Sequence, residues 1–520
     1  MAHPPPTPAP EGDWPAVRDA PDKIALPLLK DATIQGNVLA GFNKDHQMLL
    51  FVWWADADAA RAWLTELRPR LARNKDVASF NARFSNARRR SGRDPETIFA
   101  LWNNISFTSA GIRSLAPAAL DQLNQHGALD AGLQLWLTGS ADSDVAQSVG
   151  DAGPSDPGGW LFGGPAQAVH AIVCVAADRR SDLDTELNHH RELAARHGVT
   201  IVFEQPGNTQ PGVAAGHEHF GFKDGISQPG VFGFDPESNE AGHEGEVAGK
   251  HGTDLIAAGT FVLGYPRDIA GPVQVPKWMF DGSFLTTRRL AQDVPGFWAG
   301  VEVQHARLTG TSITDPMTGI PSADALAAKL VGRWRSGTPT DAAPVFDDRS
   351  ARDPADDNAF DFAGDPDGTS TPVCAHIRKV YPRKGAEQLP LPQTVTEDDT
   401  KVHRILRRGI PFGLPFQPTA GRGRGVDSRR GLVFQCYQAS LAEQFVFLQE
   451  AWVNRSDFPV AGTGKDAVIG LASTVAVRAG GRDHALDFAE FVRTEGSVFA
   501  LTPSLETVGL LADGEPLPFS

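Results

Sequence analysis

Three short stretches of the 520-residue chain concentrate side chains able to do chemistry. In EHFGFKDGISQPG (218–230), Gly221 and Gly225 bracket Asp224, so the backbone can pass close to a flat ligand while aiming one carboxylate at it. A turn residue is the competing reading of that pattern. CAHIRKVYPR (374–383) sets His376 among Arg378, Lys379 and Arg383, and RILRRGIPFG (404–413) supplies a second cationic cluster in Arg407 and Arg408. With the two later clusters in view, the weight moves from turn to site. Other motifs fail. In AGTGKD (461–466) the first Gly of a phosphate loop falls on Pro459 and Asp466 replaces the hydroxyl, so the segment reads as a turn. GRGRG (421–425) follows no strand and reads as a flexible basic loop. No GxSxG elbow, HExxH helix or CxxC pair occurs.

The elements that must position these residues read as strand-helix-strand units. MLLFVWW (48–54) is expected as a buried strand, followed by a helix capped at Asp56 and running to Leu67. AVHAIVCVA (168–176) is a strand, Ser181 and Asp184 suggest a capping box, Gly198 ends the helix, and VTIVFE (199–204) follows. In the second half GSFLTT (282–287) is expected as a strand leading into a helical RRLAQDV. GLVFQCYQ (431–438) leads to a helix opened by Ser440 and Glu443, with Leu441, Phe445, Leu448 and Trp452 on one stripe. SVFALTP (497–503) is a closing strand. The pattern predicts two α+β domains built alike. The expected limits are a Pro-rich arm over 1–30, a first domain over 31–232, a polar Gly-rich linker over 233–257 and a second domain over 258–520. The Asp-dense stretch 341–369 lacks EF-hand spacing and is expected as a solvated loop.

Composition narrows the function. Lys+Arg 48 against Asp+Glu 63 leaves a net charge of −15, which repels polyphosphate and argues against a nucleic-acid partner. No run of about 18 apolar residues occurs, so no spanning helix and no membrane partner are expected. Cys174, Cys374 and Cys436 are too scattered for a disulfide framework, and MAHPPPTPAPEGDW resembles no export signal, so a soluble cytoplasmic protein is expected.

GFKDG matches the GxxDG signature of the dye-decolorising peroxidases, AHIRK followed by PR resembles their proximal-histidine segment, and ILRRGIPFG resembles their distal-arginine segment. Supporting matches run through IQGNVLAGFNKDHQ, NISFTSAGIRSL, FVLGYP, GSFLTTRRLAQDVPGFW, LAAKLVGRW and GLVFQCYQASLAEQF, covering about residues 30–505 in the right order. The long inserts resemble the larger, non-exported branch. The resemblance implies an α+β fold of two ferredoxin-like domains of the dimeric α+β barrel type with long loop insertions. It also implies haem b (iron protoporphyrin IX) held mainly by the second domain.

The same resemblance assigns roles. His376 would ligate the iron, and Asp487 in DHALDF (483–488) is the candidate acceptor for its other ring nitrogen. Asp224 would shuttle a proton between the two oxygens of hydrogen peroxide, and Arg407, ahead of Arg408, would stabilise charge on the departing oxygen. Leu432 and Phe434 would keep the pocket dry, Gly221 and Gly225 would admit the flat cofactor, and Arg378, Lys379 and Arg383 would reach its propionates. His403 and His170 are read as structural. Phe412 stands where many relatives carry Tyr, which makes Tyr381, Tyr437 or one of the 11 tryptophans the candidates for an electron relay. Cys374 reads as a buried thiol close to the ligand. The expected activity is reduction of hydrogen peroxide to water with one-electron oxidation of dyes, phenols and other organic donors, and a homo-oligomer is compatible with it. A haem-storing or iron-releasing (deferrochelatase-like) protein of the same fold is the alternative, and a scaffold without haem the remote one.

Overall fold

A computed structural model of the chain describes residues 14–126, 129–308, 319–385, 396–416 and 429–520. The apolar run at 48–54 folds as strand β1 (His46–Trp53), and the Asp56 carboxylate caps the helix Ala57–Leu67 by accepting the amides of Asp58 and Ala59. Strands β2 (Leu101–Phe107) and β3 (Ala171–Ala177), the helix Arg180–Arg196 and strand β4 (Thr200–Asn208) follow. They pair in the order β4-β1-β3-β2, all antiparallel, which is the ferredoxin-like βαββαβ arrangement. The capping box expected at Ser181 does not form. Its helix starts one residue earlier, at Arg180, and Asp184 pairs with Arg180 instead.

Residues 233–257 are more than a linker. With β5 (Gly230–Val231), the strands β6 (Glu246–Val247) and β7 (Lys250–Ile256) make a three-stranded sheet in the order β5-β7-β6. Strand β8 (Ser283–Gln292) then runs through the residues expected as helix, and the helix begins only at Val294. RRLAQ looks like a helix surface because of its two charges. In the fold Arg288 and Arg289 are buried and paired with Asp151 and Glu495, so the charges do not mark solvent.

The chain continues through β9 (Leu406–Arg407), β10 (Ile410–Phe412), β11 (Gly431–Gln438), the hairpin of β12 (Ser473–Ala479) and β13 (Arg482–Phe488), and β14 (Val492–Thr502). The order β10-β11-β8-β14 repeats the ferredoxin-like plan, with β9 also paired to β11. Leu501 on β14 opposes Phe107 on β2, which joins the halves into one nine-stranded sheet. On the other side β10 packs beside β4 and closes the sheet into a barrel. That seam requires glycine: a Cβ at Gly207 would sit 2.4 Å from Ile410 Cγ2. Leu49, Phe51, Ile172, Leu285, Val433 and Ala500, drawn from both halves, share the same core cluster. The helices and the opposite strand faces form a second cluster around Trp63, Trp136 and Phe284.

The segment after β11 opens with the expected Glu443 amide to Ser440 Oγ bond, but it is π-helical over Ala442–Val446 and Leu448–Val453. Gln444 turns its side-chain oxygen back to the amides of Ala439 and Ser440 and widens the first turn. In the expected arm, residues from Trp14 on are tied down: Trp14 stacks on Phe519 and Arg18 pairs with Asp281. The acidic stretch 341–369 is partly sunk. Asp357 is buried against Arg349, and Asp365 accepts the amides of Thr369, Ser370 and Thr371. GRGRG (421–425) lies outside the described residues.

Candidate active site

A cavity of about 310 Å³ is lined by His376, Asp224, Arg407, Leu432 and Phe434, residues drawn from four separate parts of the sequence. His376 is the first residue of the short helix His376–Val380. Its Nδ1 lies 2.7 Å from Asp466 Oδ2, which leaves Nε2 free. Asp466 is fully buried, and its Oδ1 accepts the amides of Val468 at 2.8 Å and Ile469 at 3.0 Å. Burial by itself would neutralise this carboxyl, but His376 and the two amides outweigh it and hold Asp466 below the usual carboxylate range. Burial likewise disfavours the His376 imidazolium, and Asp466 more than offsets it, raising the His376 pKa.

The carboxylate partner was therefore misplaced by sequence reasoning. Asp487, the candidate acceptor, sits on β13 at the surface, bonded to Thr474 and Arg307. The true partner is the last residue of AGTGKD, which is indeed a turn but one whose Asp points inward. No local signal marks it, because it lies 90 residues from His376.

Opposite the histidine, Arg407 Nη1 donates to Asp224 Oδ1 at 2.6 Å, and the Gly225 amide reaches the same oxygen at 2.6 Å. Gly225 takes φ +80°, a conformation that glycine allows without strain. Burial works against the Asp224 charge, yet Arg407 and the Gly225 amide keep its pKa below the ordinary value. The turn carrying Asp224 is shaped by Glu218, whose carboxylate accepts the amides of Phe220 and Phe222 at 2.8 Å and Gln292 Nε2 at 2.6 Å. Gln228 clamps the Arg407 backbone on both its N–H and its carbonyl. Arg408 points elsewhere, donating to the carbonyls of Asn37, Val38 and Leu39. Of the pair, only Arg407 lines the cavity.

Leu432 and Phe434 alternate with Val433, which faces the barrel core, so both project from one face of β11 into the cavity. Arg383 lines the cavity as well, held by the carbonyls of Asn358 and Phe360 at 2.8 Å. Three expected contributors lie off the cavity lining. Gly221 is a turn residue at φ +99° whose amide bonds the Glu218 carbonyl. Arg378 follows His376 by two residues on a helix, so it points to the other side, donating to the Thr371 carbonyl and pairing with Asp365. Lys379 spends its ammonium on the carbonyls of Arg455, Phe458 and Gly464.

The cavity has further charged walls that motif reading passed over. Arg288 pairs with Asp151, while its Nε and Nη1 are buried with no partner among the described residues. Arg333 donates to the carbonyls of Gly337 and Asp357, and burial pulls its pKa down to about 9. His403 also lines the cavity, stacked on Phe447 at 3.8 Å and kept neutral by burial, with its pKa lowered to about 4. Cys374 is fully buried, its thiol pushed up to about 12 by that burial, and its Sγ meets the Ala476 carbonyl. Phe412 is 3 % exposed beneath the Arg289 guanidinium. Tyr381 and Tyr437 are both buried, hydrogen-bonded to Asp254 and Asn104 respectively.

A second hollow of about 840 Å³ runs between the 37–47 loop, the helix Asn74–Ser91 and residues 228–250. It shares Glu218, Asp224, Gly225, Pro229 and Arg407 with the first, so the acid and its cation stand between the two spaces. No helix among the described residues is long and apolar enough to cross a membrane.

Residues 33–211 match the family model described as the DyP dimeric alpha+beta barrel domain. The dye-decolorizing peroxidase msp1 of Mycetinis scorodonius is 31 % identical over 470 residues, 88 % of this chain and 80 % of that one. The dye-decolorizing peroxidase of Exidia glandulosa is 28 % identical over 95 % of this chain and 89 % of its own. Among solved structures, an ancestral D-type dye decolorizing peroxidase superposes with a TM-score of 0.73 at 29 % identity, covering 92 % of this chain and 98 % of that one. A variant of the Pleurotus ostreatus enzyme gives 0.74 at 27 % identity, with 93 % and 99 % covered.

Proposed function

The chain belongs to the dye-decolorising peroxidase family and is a haem peroxidase, and from that premise we propose which residues do the work and on what. The relatives above are named for peroxidase activity rather than for haem storage or iron release. The proposed reaction is reduction of hydrogen peroxide to water with one-electron oxidation of organic donors. A related enzyme has been solved in complex with 2,6-dimethoxyphenol, which supports phenols as one donor class. We also infer a division into ferredoxin-like units over about 31–232 and 258–520, and a cytoplasmic setting, which suits three buried free thiols.

The residues present fit a haem b. His376 offers Nε2 to the cavity while Asp466 holds Nδ1, an arrangement that fixes the tautomer and increases ligand basicity. The two unpartnered nitrogens of Arg288 would supply donors for the cofactor's acidic groups, and Arg333 and Arg383 would add positive charge to the same cavity. Haem held here would supply the iron chemistry that splits peroxide and takes up the electrons given by the organic donors. Asp224, held ionised, accepts a proton from the oxygen of peroxide that binds and returns it to the oxygen that leaves. Arg407 stabilises the negative charge that develops on the departing oxygen. Leu432 and Phe434 place apolar surface beside that charge and thin the water around it. The larger hollow is the proposed entry for peroxide, because it reaches Asp224 and Arg407 directly.

The observation that carries this reading is that a carboxylate-backed imidazole and a charge-paired Asp224–Arg407 line one cavity. The test is His376→Ala. Haem-to-protein ratio after purification should fall to a small fraction of wild type and recover with added imidazole. An unchanged ratio and Soret band would remove His376 as the ligand.

A further inference from the structure

Away from the cavity, a second group of chemically able side chains forms where the β5–β6 loop meets β7 and the acidic stretch. One ligand atom from each of Glu240, His243 and His251 lies within 4.8 Å of the other two. His251 Nε2 is 3.0 Å from Glu240 Oε2, while its Nδ1 is 2.6 Å from Asp356 Oδ1. His243 is held in the same manner, its Nδ1 2.9 Å from Glu246 Oε2, which leaves Nε2 available. His251 thus has both ring nitrogens on carboxylates, Nε2 on Glu240 of the cluster itself, and His243 has Nδ1 on one; a carboxylate behind a ring nitrogen is what orients metal-ligating histidines. Charge points the same way. Three carboxylates, Glu240, Glu246 and Asp356, surround two rings stacked 4.0 Å apart, a spacing at which two imidazolium charges would repel.

We propose that Glu240, His243 and His251 bind one divalent ion of the zinc class, with Glu246 and Asp356 as the carboxylates that orient the two histidines. Two imidazoles and one carboxylate favour Zn²⁺ over Ca²⁺ or Mg²⁺, which take oxygen ligands, and over Mn²⁺, which is better served by carboxylates. Three protein ligands leave the fourth tetrahedral position to water. The rings lie only 14° from parallel, so ligation tilts one of them about its Cβ–Cγ bond, a soft torsion. The ion would fasten the β6–β7 hairpin to Asp356. The next two residues, Asp357 and Asn358, give their carbonyls to Arg333 and Arg383 at the cavity wall. The role is structural, a clip between the inserted sheet and the acidic stretch, with the arginine contacts of Asp357 and Asn358 standing without it.

The test uses the full-length, untagged, haem-loaded protein, stripped with a chelator and titrated with Zn²⁺, with zinc counted separately from iron. One zinc per chain with a Kd at or below about 10 µM is expected. His243→Gln/His251→Gln should weaken binding at least about 100-fold and Asp356→Asn about 10-fold, the scale of losing an orienting carboxylate. Haem content and the Soret position should match wild type in these variants; if the double variant fails to fold, Glu240→Gln supplies the same measurement. Absence of retained zinc, unchanged affinity in the variants, or Mn²⁺ or Ca²⁺ binding as tightly as Zn²⁺ would overturn the proposal.

Discussion

The two walls of the cavity are built on opposite principles. On the His376 side the imidazole keeps 28 % of its side chain accessible, but the group that fixes it is dry and spoken for: Asp466 is 0 % exposed, with one oxygen on the imidazole and the other on two amides. On the Asp224 side the carboxylate and its guanidinium keep 37 % and 30 % of their side chains accessible and border a second, larger hollow. A wall that must hold one atom in one place gains from being over-determined, whereas a wall that must pass protons needs an opening and groups whose charge is set by a neighbour. The difference separates retention from turnover, and mutations on the two walls should fail in different measurements.

The largest kinetic effect is expected from Arg407→Leu. Loss of a preorganised cation from the cavity wall should slow the peroxide-dependent Soret change by about 10²–10³-fold, with haem content untouched. Near wild-type rates in stopped-flow would break the comparison on the open side. Asp224→Asn should cost less, about 10²-fold at neutral pH, and the deficit should shrink as pH rises and peroxide itself supplies more anion. The wild type gives the complementary sign. The proton-accepting form is the carboxylate, and its pKa lies below the ordinary value of about 3.9, so the acid limb of peroxide reaction should fall below that pH. A deficit independent of pH would remove the proton-carrier role. The smallest effect on turnover and the clearest on retention should come from Asp466→Asn, which leaves the His376 tautomer unenforced. Haem should be lost about 10–100-fold more readily to apomyoglobin, while the loaded fraction still reacts with peroxide. Equal haem-transfer rates would show that the buried wall is not what holds the ligand.

Much of the site was legible because its motifs are local: Asp224 with Gly225, His376 with Arg383, Arg407, and the Leu432/Phe434 alternation each sit in short windows, and all line one cavity. What escaped the sequence was pairing across distance. Asp466 reads as a turn residue and Arg288 as part of a helix surface, because a buried charge announces itself only through its partner. Those partners, His376 and Asp151, lie 90 and 137 residues away. Arg378 failed for the reverse reason: proximity to the histidine along the chain put it on the wrong face of a short helix. At fold level the strand-helix-strand units were readable. Residues 233–257 were not, since polar, Gly-rich text serves a small inserted sheet as well as a linker.

Strand β14 has a bearing on how the protein is made. It is the penultimate element of the chain, yet it lies in the middle of the nine-stranded sheet, between β8 and β2, where its backbone pairing with β2 is the single match of Leu501 with Phe107, backed by the 2.6 Å hydroxyl contact of Ser106 with Thr502. As the polypeptide leaves the ribosome, the first ferredoxin-like half can assemble early, but its β2 edge must wait for nearly four hundred further residues before it is covered. That edge is an exposed template during synthesis. The slow, long-range closure of this seam, rather than the chemistry of the cavity, is the step at which aggregation should compete with folding.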